Sequence, residues 1–247
     1  MILIENLWKT FGNQEVLRGV SLQVKTGEFV ALVGMSGCGK SLLLRHLVRL
    51  MRPDKGRVLV DGQDVAKMPR EELERLRSRI GFVFQSGALF DSDTVFDNVA
   101  FPLREKTRWS ETKIRNKVLE ELDLVGLKDA EHKYPAQLSG GMRKRVALAR
   151  TLVRAPEIVL FDEPTTGLDP IVVNSILHLF NSVHKRLNLT GILVSHEIPQ
   201  IFGIVQKVAM LYEGQIIAVE SPETIGTSQN PVLDQFIHGK PDGPVRY

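Results

Sequence analysis

Phe29-Val30-Ala31-Leu32-Val33-Gly34-Met35-Ser36-Gly37-Cys38-Gly39-Lys40-Ser41 is the stretch that decides the fold. An unbroken apolar run closed by glycine reads as a strand buried on both faces, the habit of a parallel sheet covered by helices. Gly34–Ser41 fits G-x-x-x-x-G-K-[ST], and helical text over Ser41–Leu50, stopped near Pro53, follows at once. Glycines there let the backbone curl until its N–H groups point inward, beside the positive end of a helix dipole. Gly34, Ser36, Gly37, Cys38, Gly39, Lys40, Ser41 and Leu42 are therefore a candidate phosphate cradle. Lys40 is expected to reach the β- and γ-phosphates and Ser41 to hold Mg²⁺. The bland rival is a glycine-rich strand-to-helix turn, but the pattern arises by chance in such a chain only roughly once in a hundred. Cys38 sits at a variable position of the loop and reads as filler, not a redox group.

Downstream, Ile158-Val159-Leu160-Phe161-Asp162-Glu163 places two carboxylates at the end of a second apolar strand, where α/β sheets bind ligands. Asp162 is expected to hold Mg²⁺, and Glu163 to act as general base on a water. An isolated acidic pair is usually a solvated surface; the phosphate loop in the same chain favours the functional reading.

Around these two strands the pattern is α/β. Ile2–Leu7, Gly19–Val24, Glu28–Val33, Arg57–Val60, Ile80–Phe84, Glu157–Phe161 and Gly191–Val194 read as strands, with helical text at Val172–Leu187. Lys207–Tyr212 and Gln215–Val219 flank Glu213-Gly214 as a hairpin. Between about residues 87 and 154 strand signals fade, and Glu111–Val125 and Gly141–Val153 read as helices. The expected organisation is a cassette over 1–224 carrying this insert, then a C-terminal helix and tail over 225–247. The tail, HGKPDGPVRY, reads as extended or loosely held.

Composition narrows the class. The 247 residues suit one large α/β domain, and 43% apolar with 25% charged residues is ordinary for a globular chain. A net charge of +3 does not argue for a nucleic-acid partner. A single cysteine allows no intrachain disulfide, and a reducing compartment is expected. MILIENLWKTFG lacks the pattern of a secretory leader, and no apolar run approaches the length of a bilayer span. Work at a membrane would need a partner to supply the span.

Leu138-Ser139-Gly140-Gly141-Met142 makes the reading specific. It resembles the LSGGQ signature of ABC proteins, and it opens a helix, so Ser139 and the amides of Gly140 and Gly141 form a second anion site. Read alone it is an ordinary helix cap; in order with the other two motifs it is similar to the ABC cassette over about Leu3 to Val219. The resemblance implies a P-loop NTPase (RecA-like) core, an N-terminal antiparallel β subdomain and a helical subdomain insert. It implies ATP and Mg²⁺, with Gln85 as the Q-loop metal and water ligand, Gly167-Leu168-Asp169 as the D-loop and His196 as the switch histidine. Phe11 lies where the family keeps an aromatic ring against adenine, with Trp8 nearby. Each of these has a bland reading taken singly. Met142 and Leu42 depart from the usual Gln and Thr or Ser, neither at an indispensable phosphate contact. The family sandwiches ATP between two copies, so one chain holds half of each site.

Within the family, the interval from Lys40 to Ser139 has no room for the coiled coil of DNA-repair members, and one cassette is not the pair of translation-associated members. Phe84-Gln85-Ser86-Gly87-Ala88-Leu89-Phe90, Asp97–Glu105, LSGGM and Asp242-Gly243-Pro244-Val245 resemble the Mla/Mce-type phospholipid transporter ATPases. That resemblance implies a peripheral subunit on the cytoplasmic face of a bacterial inner membrane, powering phospholipid movement between inner and outer membranes. Its implied partners are a second copy, a membrane permease, an MCE-domain lipid-binding protein and a STAS-domain regulator. The alternative is the ATPase of an amino-acid-type importer. Ala88-Leu89-Phe90 and Val99-Ala100-Phe101 are expected to be exposed and to dock the permease. A tail ending at Tyr247 is shorter than in some relatives.

Overall fold

A computed structural model describes residues 1–196, 198 and 200–245. The chain opens with strands β1 (Ile2–Phe11), β2 (Gln14–Val24) and β3 (Phe29–Val33), then helix α1 (Lys40–Leu47). Next come β4 (Lys55–Val60), β5 (Gln63–Asp64), α2 (Arg70–Arg79) and β6 (Ile80–Val83). Three helices follow, α3 (Val95–Lys106), α4 (Glu111–Leu124) and α5 (Gly140–Leu152), before β7 (Ile158–Asp162), α6 (Pro170–Leu187) and β8 (Thr190–Val194). The hairpin β9 (Lys207–Tyr212) and β10 (Gln215–Glu220) precedes α7 (Pro222–Gly226) and α8 (Pro231–His238).

β3 is buried along its whole length inside a six-stranded sheet of order β10-β9-β3-β8-β7-β6, in which only the β9–β10 pair is antiparallel. Its side chains alternate between two cores. Phe29, Ala31 and Val33 face the cluster built by α3 to α6, while Val30 and Leu32 face Leu43, Leu44 and Leu47 of α1. β7 divides in the same way, Val159 and Phe161 to one side and Ile158 and Leu160 to the other. Both faces being apolar, neither strand shows period-two alternation. Strand β1 joins β2, β4 and β5 in a separate four-stranded antiparallel sheet, as expected of the N-terminal segment.

Several boundaries differ from the sequence reading. β1 and β2 run longer because register shifts after Ile4, Leu7 and Lys9 break the alternation that would have marked them. α1 stops at Leu47, where Val48 caps it and Arg49 turns left-handed (φ 50°). β6 ends at Val83, leaving Phe84 outside the strand but stacked on Phe82 at 4.3 Å. α2 is charged nearly throughout, burying only Leu73 and Leu76, and α3 carries Pro102 inside it; neither pattern announces a helix. The tail is not loose. Gln235 is buried and clasps Val245 through both amide groups, its Nε2 donating to the Val245 carbonyl at 3.1 Å and its Oε1 accepting from Val245 N at 2.7 Å. The end of the tail, Arg246 and Tyr247, lies outside the described residues.

Candidate nucleotide site

The loop after β3 is shaped by contacts that leave no room for side chains. A Cβ on Gly34 would stand 2.2 Å from the Leu211 carbonyl oxygen of β9, and one on Gly39 (φ 105°) would stand 2.8 Å from Leu17 Cδ2. The Lys40 side chain folds back over the loop and is 4% exposed, its ammonium donating to the carbonyls of Gly34 at 2.9 Å and Met35 at 2.7 Å. It also lies 3.7 Å from Glu163 Oε1. Cys38 and Leu42 pack partly buried against the core beneath. Burial pushes the Cys38 thiol up, as befits filler and not a nucleophile.

β7 and β8 complete the centre. Ser41 Oγ donates to Asp162 Oδ1 at 2.5 Å, bringing two oxygen ligands of the kind Mg²⁺ prefers side by side at the sheet edge. Burial raises the Asp162 carboxyl above its ordinary value, against the Ser41 hydrogen bond, and a cation there would relieve that cost. The donor set therefore fits a hard divalent ion carried in with phosphate oxygens. Glu163 turns left-handed (φ 46°), and its N–H is held by the Val194 carbonyl at 3.1 Å. Its carboxylate accepts from Thr166 Oγ1 at 3.3 Å and lies 3.8 Å from His196 Nδ1. Thr166 was missed in the sequence; it lies one turn beyond Glu163 but carries no motif of its own.

Other candidate residues stand apart from this centre. Phe11 closes β1 as a residue 47% exposed, with the Lys9 ammonium over its ring at 5.6 Å from the centroid. Gln85 is exposed just beyond β6. Ser139 caps α5, its hydroxyl accepting from Met142 N at 3.3 Å, and among the described residues it makes no contact with Lys40 or Ser41. Gly140 presses on Leu168 and Gly141 on the start of α6: a Cβ on Gly141 would lie 2.6 Å from Val172 Cγ1. Asp169 caps α6, its Oδ1 accepting from Ile171 N and Val172 N at 3.1 and 3.0 Å, so one carboxylate oxygen is already engaged. Ser36 and Gly37 line an open cavity of about 420 Å³ with Met35, Cys38, Tyr212, Glu213 and Pro244. The hairpin and tail thus flank the phosphate loop, which no motif foretold. Glu197, which follows the switch histidine, lies outside the described residues.

Residues 17–166, from β2 through both phosphate-site strands, match the family model described as "ABC transporter". The chain belongs to the ABC transporter family. The cassette is 41% identical over its full length, and over 94% of the relative, to the intermembrane phospholipid transport system ATP-binding protein MlaF of Haemophilus influenzae. It is 40% identical over 99% of its length, and 70% of the relative, to the probable ribonucleotide transport ATP-binding protein mkl of Mycobacterium leprae. Among solved structures, the dimeric ABC transporter cassette MJ0796 superposes with a TM-score of 0.82 at 34% identity, over 90% of this chain and 99% of that one. The same cassette has been solved in a post-hydrolysis state with ADP and Pi. This ABC cassette is an ATPase, and no described helix of it is long and apolar enough to cross a membrane.

Proposed function

We propose that this ABC cassette powers phospholipid transport between the inner and outer membranes of a bacterial envelope, as a peripheral subunit on the cytoplasmic face of the inner membrane. The observation that carries the reading is full-length similarity to MlaF, including the segment after Gln85 that would meet a membrane partner. The mkl relative keeps a soluble cargo in view, and its identity is nearly as high.

Lys40 would lie against the β- and γ-phosphates, exchanging its two carbonyl partners for charge-assisted contacts. Ser41 and Asp162, with Gln85, would hold Mg²⁺, which when bound neutralises developing phosphate charge. Glu163, oriented by Thr166 and beside Lys40 and His196, would take the proton of the attacking water. His196 would contact the γ-phosphate from β8. Phe11 would stack on adenine. Ser139, Gly140 and Gly141 would serve the nucleotide of a second copy, because a helix start far from its own Lys40 is of use only across a dimer.

A permease would dock on the aromatic face of the helical insert. Phe90 and Phe101 meet edge to face at 5.0 Å, each 42% exposed, while Val99 and Ala100, expected alongside Phe101 at the surface, are core. An MCE-domain protein and a STAS-domain regulator complete the assembly implied by the resemblance. Deleting the gene should weaken the outer-membrane barrier to detergent and raise surface-exposed phospholipid. An intact barrier with a specific amino-acid or nucleoside uptake defect would reject the lipid reading.

A further inference from the structure

We propose that Lys144 is a positioning residue that ties the Q-loop of one ATP site to the signature serine serving the other; this rests on the paired-site reading above. Lys144 lies on α5 about one and a half turns beyond the Ser139 cap. It is 8% exposed, and its ammonium donates to the backbone carbonyl of Gln85. Further along the same helix, the Arg150 guanidinium donates to the carbonyls of Gly87 at 2.7 Å and Ala88 at 2.8 Å. Gly87 is pressed so closely on the helix that a Cβ there would sit 3.3 Å from Ala147 Cβ.

The Q-loop backbone is thus held by α5 at three carbonyls. Burying an ammonium costs free energy that a Met or Leu on this flank would not incur, and the Gln85 carbonyl acceptor offsets part of it. With the loop and helix joined, displacement of Gln85 by its own nucleotide must move α5, and Ser139 with it. Gln85 reads one nucleotide and Ser139 the other. Lys144 therefore couples the two sites through a single rigid helix.

The test is steady-state ATP hydrolysis by the full chain against ATP concentration, with Lys144→Met and Lys144→Arg compared. Both variants fill the space, but only Arg keeps donors for the Gln85 carbonyl. The native chain should give a Hill coefficient above about 1, and Lys144→Arg should retain it. Lys144→Met should fall to about 1 with kcat reduced about tenfold, while ATP binding to the dilute monomer stays within about twofold. A Met variant with native cooperativity and kcat overturns the link, as do Met and Arg variants that are equally impaired. Should the Met variant precipitate, Lys144→Leu, equally without a donor for the Gln85 carbonyl, serves instead: an unchanged Hill coefficient overturns the link. A native Hill coefficient of about 1 means that the two sites are not coupled and overturns the link before any variant is made, whereas the paired-site reading itself falls only if Ser139→Arg leaves hydrolysis unchanged.

Discussion

The sheet edge around Lys40 and the aromatic face around Phe101 use apolar residues in opposite ways. Around Lys40, β3, β7 and β8 are wholly buried interior strands, and three polar groups at their carboxyl ends are held in place: Lys40 on two carbonyls, Ser41 on Asp162, Glu163 on Val194 and Thr166. On the insert, α3 buries Val99, Ala100 and Leu103 but leaves Phe101 out beside Phe90. Chemistry needs donors held to fractions of an ångström, so it sits on close-packed strands. A docking face would need apolar area left unspent, as the outer side of α3 offers while its inner side is already satisfied.

The sharpest way to break this contrast is at Glu163. Glu163→Gln should keep ATP binding and lower hydrolysis by about 10²–10⁴, measured as phosphate release, because the base is removed while its setting stays. Near-normal turnover would remove Glu163 from that role. Lys40→Ala should instead weaken ATP binding, by roughly tenfold to a hundredfold if one charge-assisted contact is lost, as titration with a fluorescent ATP analogue would report.

The insert is tested by two changes on one helix. Val99→Asp puts a charge into the core and should lower the melting temperature strongly, since an unpaired buried charge costs several kcal/mol. Phe101→Asp should leave melting nearly unchanged and detach the subunit from membranes in co-sedimentation. If both variants melt alike, Phe101 is core and the docking face is lost. At the signature, Ser139→Arg should block ATP-driven dimer formation on size exclusion while the monomer still binds ATP; loss of monomer binding would mean that the serine acts within its own chain.

The smallest effect sharpens the comparison by pH. On the insert surface Asp97 is held below its ordinary value by the Thr94 hydroxyl and then by Arg104, and Arg104 likewise depresses Glu111. Groups with lowered folded values stabilise fully above the unfolded carboxylate range, about pH 4, and that stabilisation is lost as pH falls through the folded value. Arg104→Met should therefore melt slightly below the native chain at pH 6, and the gap should close toward pH 3. A gap that widens in acid would contradict the assignment.

Much of the centre was legible because its signals are local. The run Phe29–Val33, the glycines and the Lys40-Ser41 pair lie in one stretch, and Asp162-Glu163 directly follows another apolar run. The start of α5 was legible too, since Ser139 is its own cap. α2 and α3 were not: with little apolar period in one and a proline in the other, their helicity follows from packing more than from pattern. Val99 and Phe101 look alike in sequence, and only the orientation of α3 separates core from surface.

By itself, then, the sequence determined the P-loop fold and membership of the ABC family and nominated the phosphate cradle and the two acids, because each depends on residues adjacent in the chain or on motifs in order. Only the tertiary structure decided that Thr166 supports Glu163, that Asp169 spends one carboxylate oxygen on a helix cap, and that the tail folds onto Gln235. It alone placed Lys144 against Gln85. These are contacts between side chains and backbone groups whose spacing along the chain carries no period, so their energy is readable only once the sheet has brought the segments together.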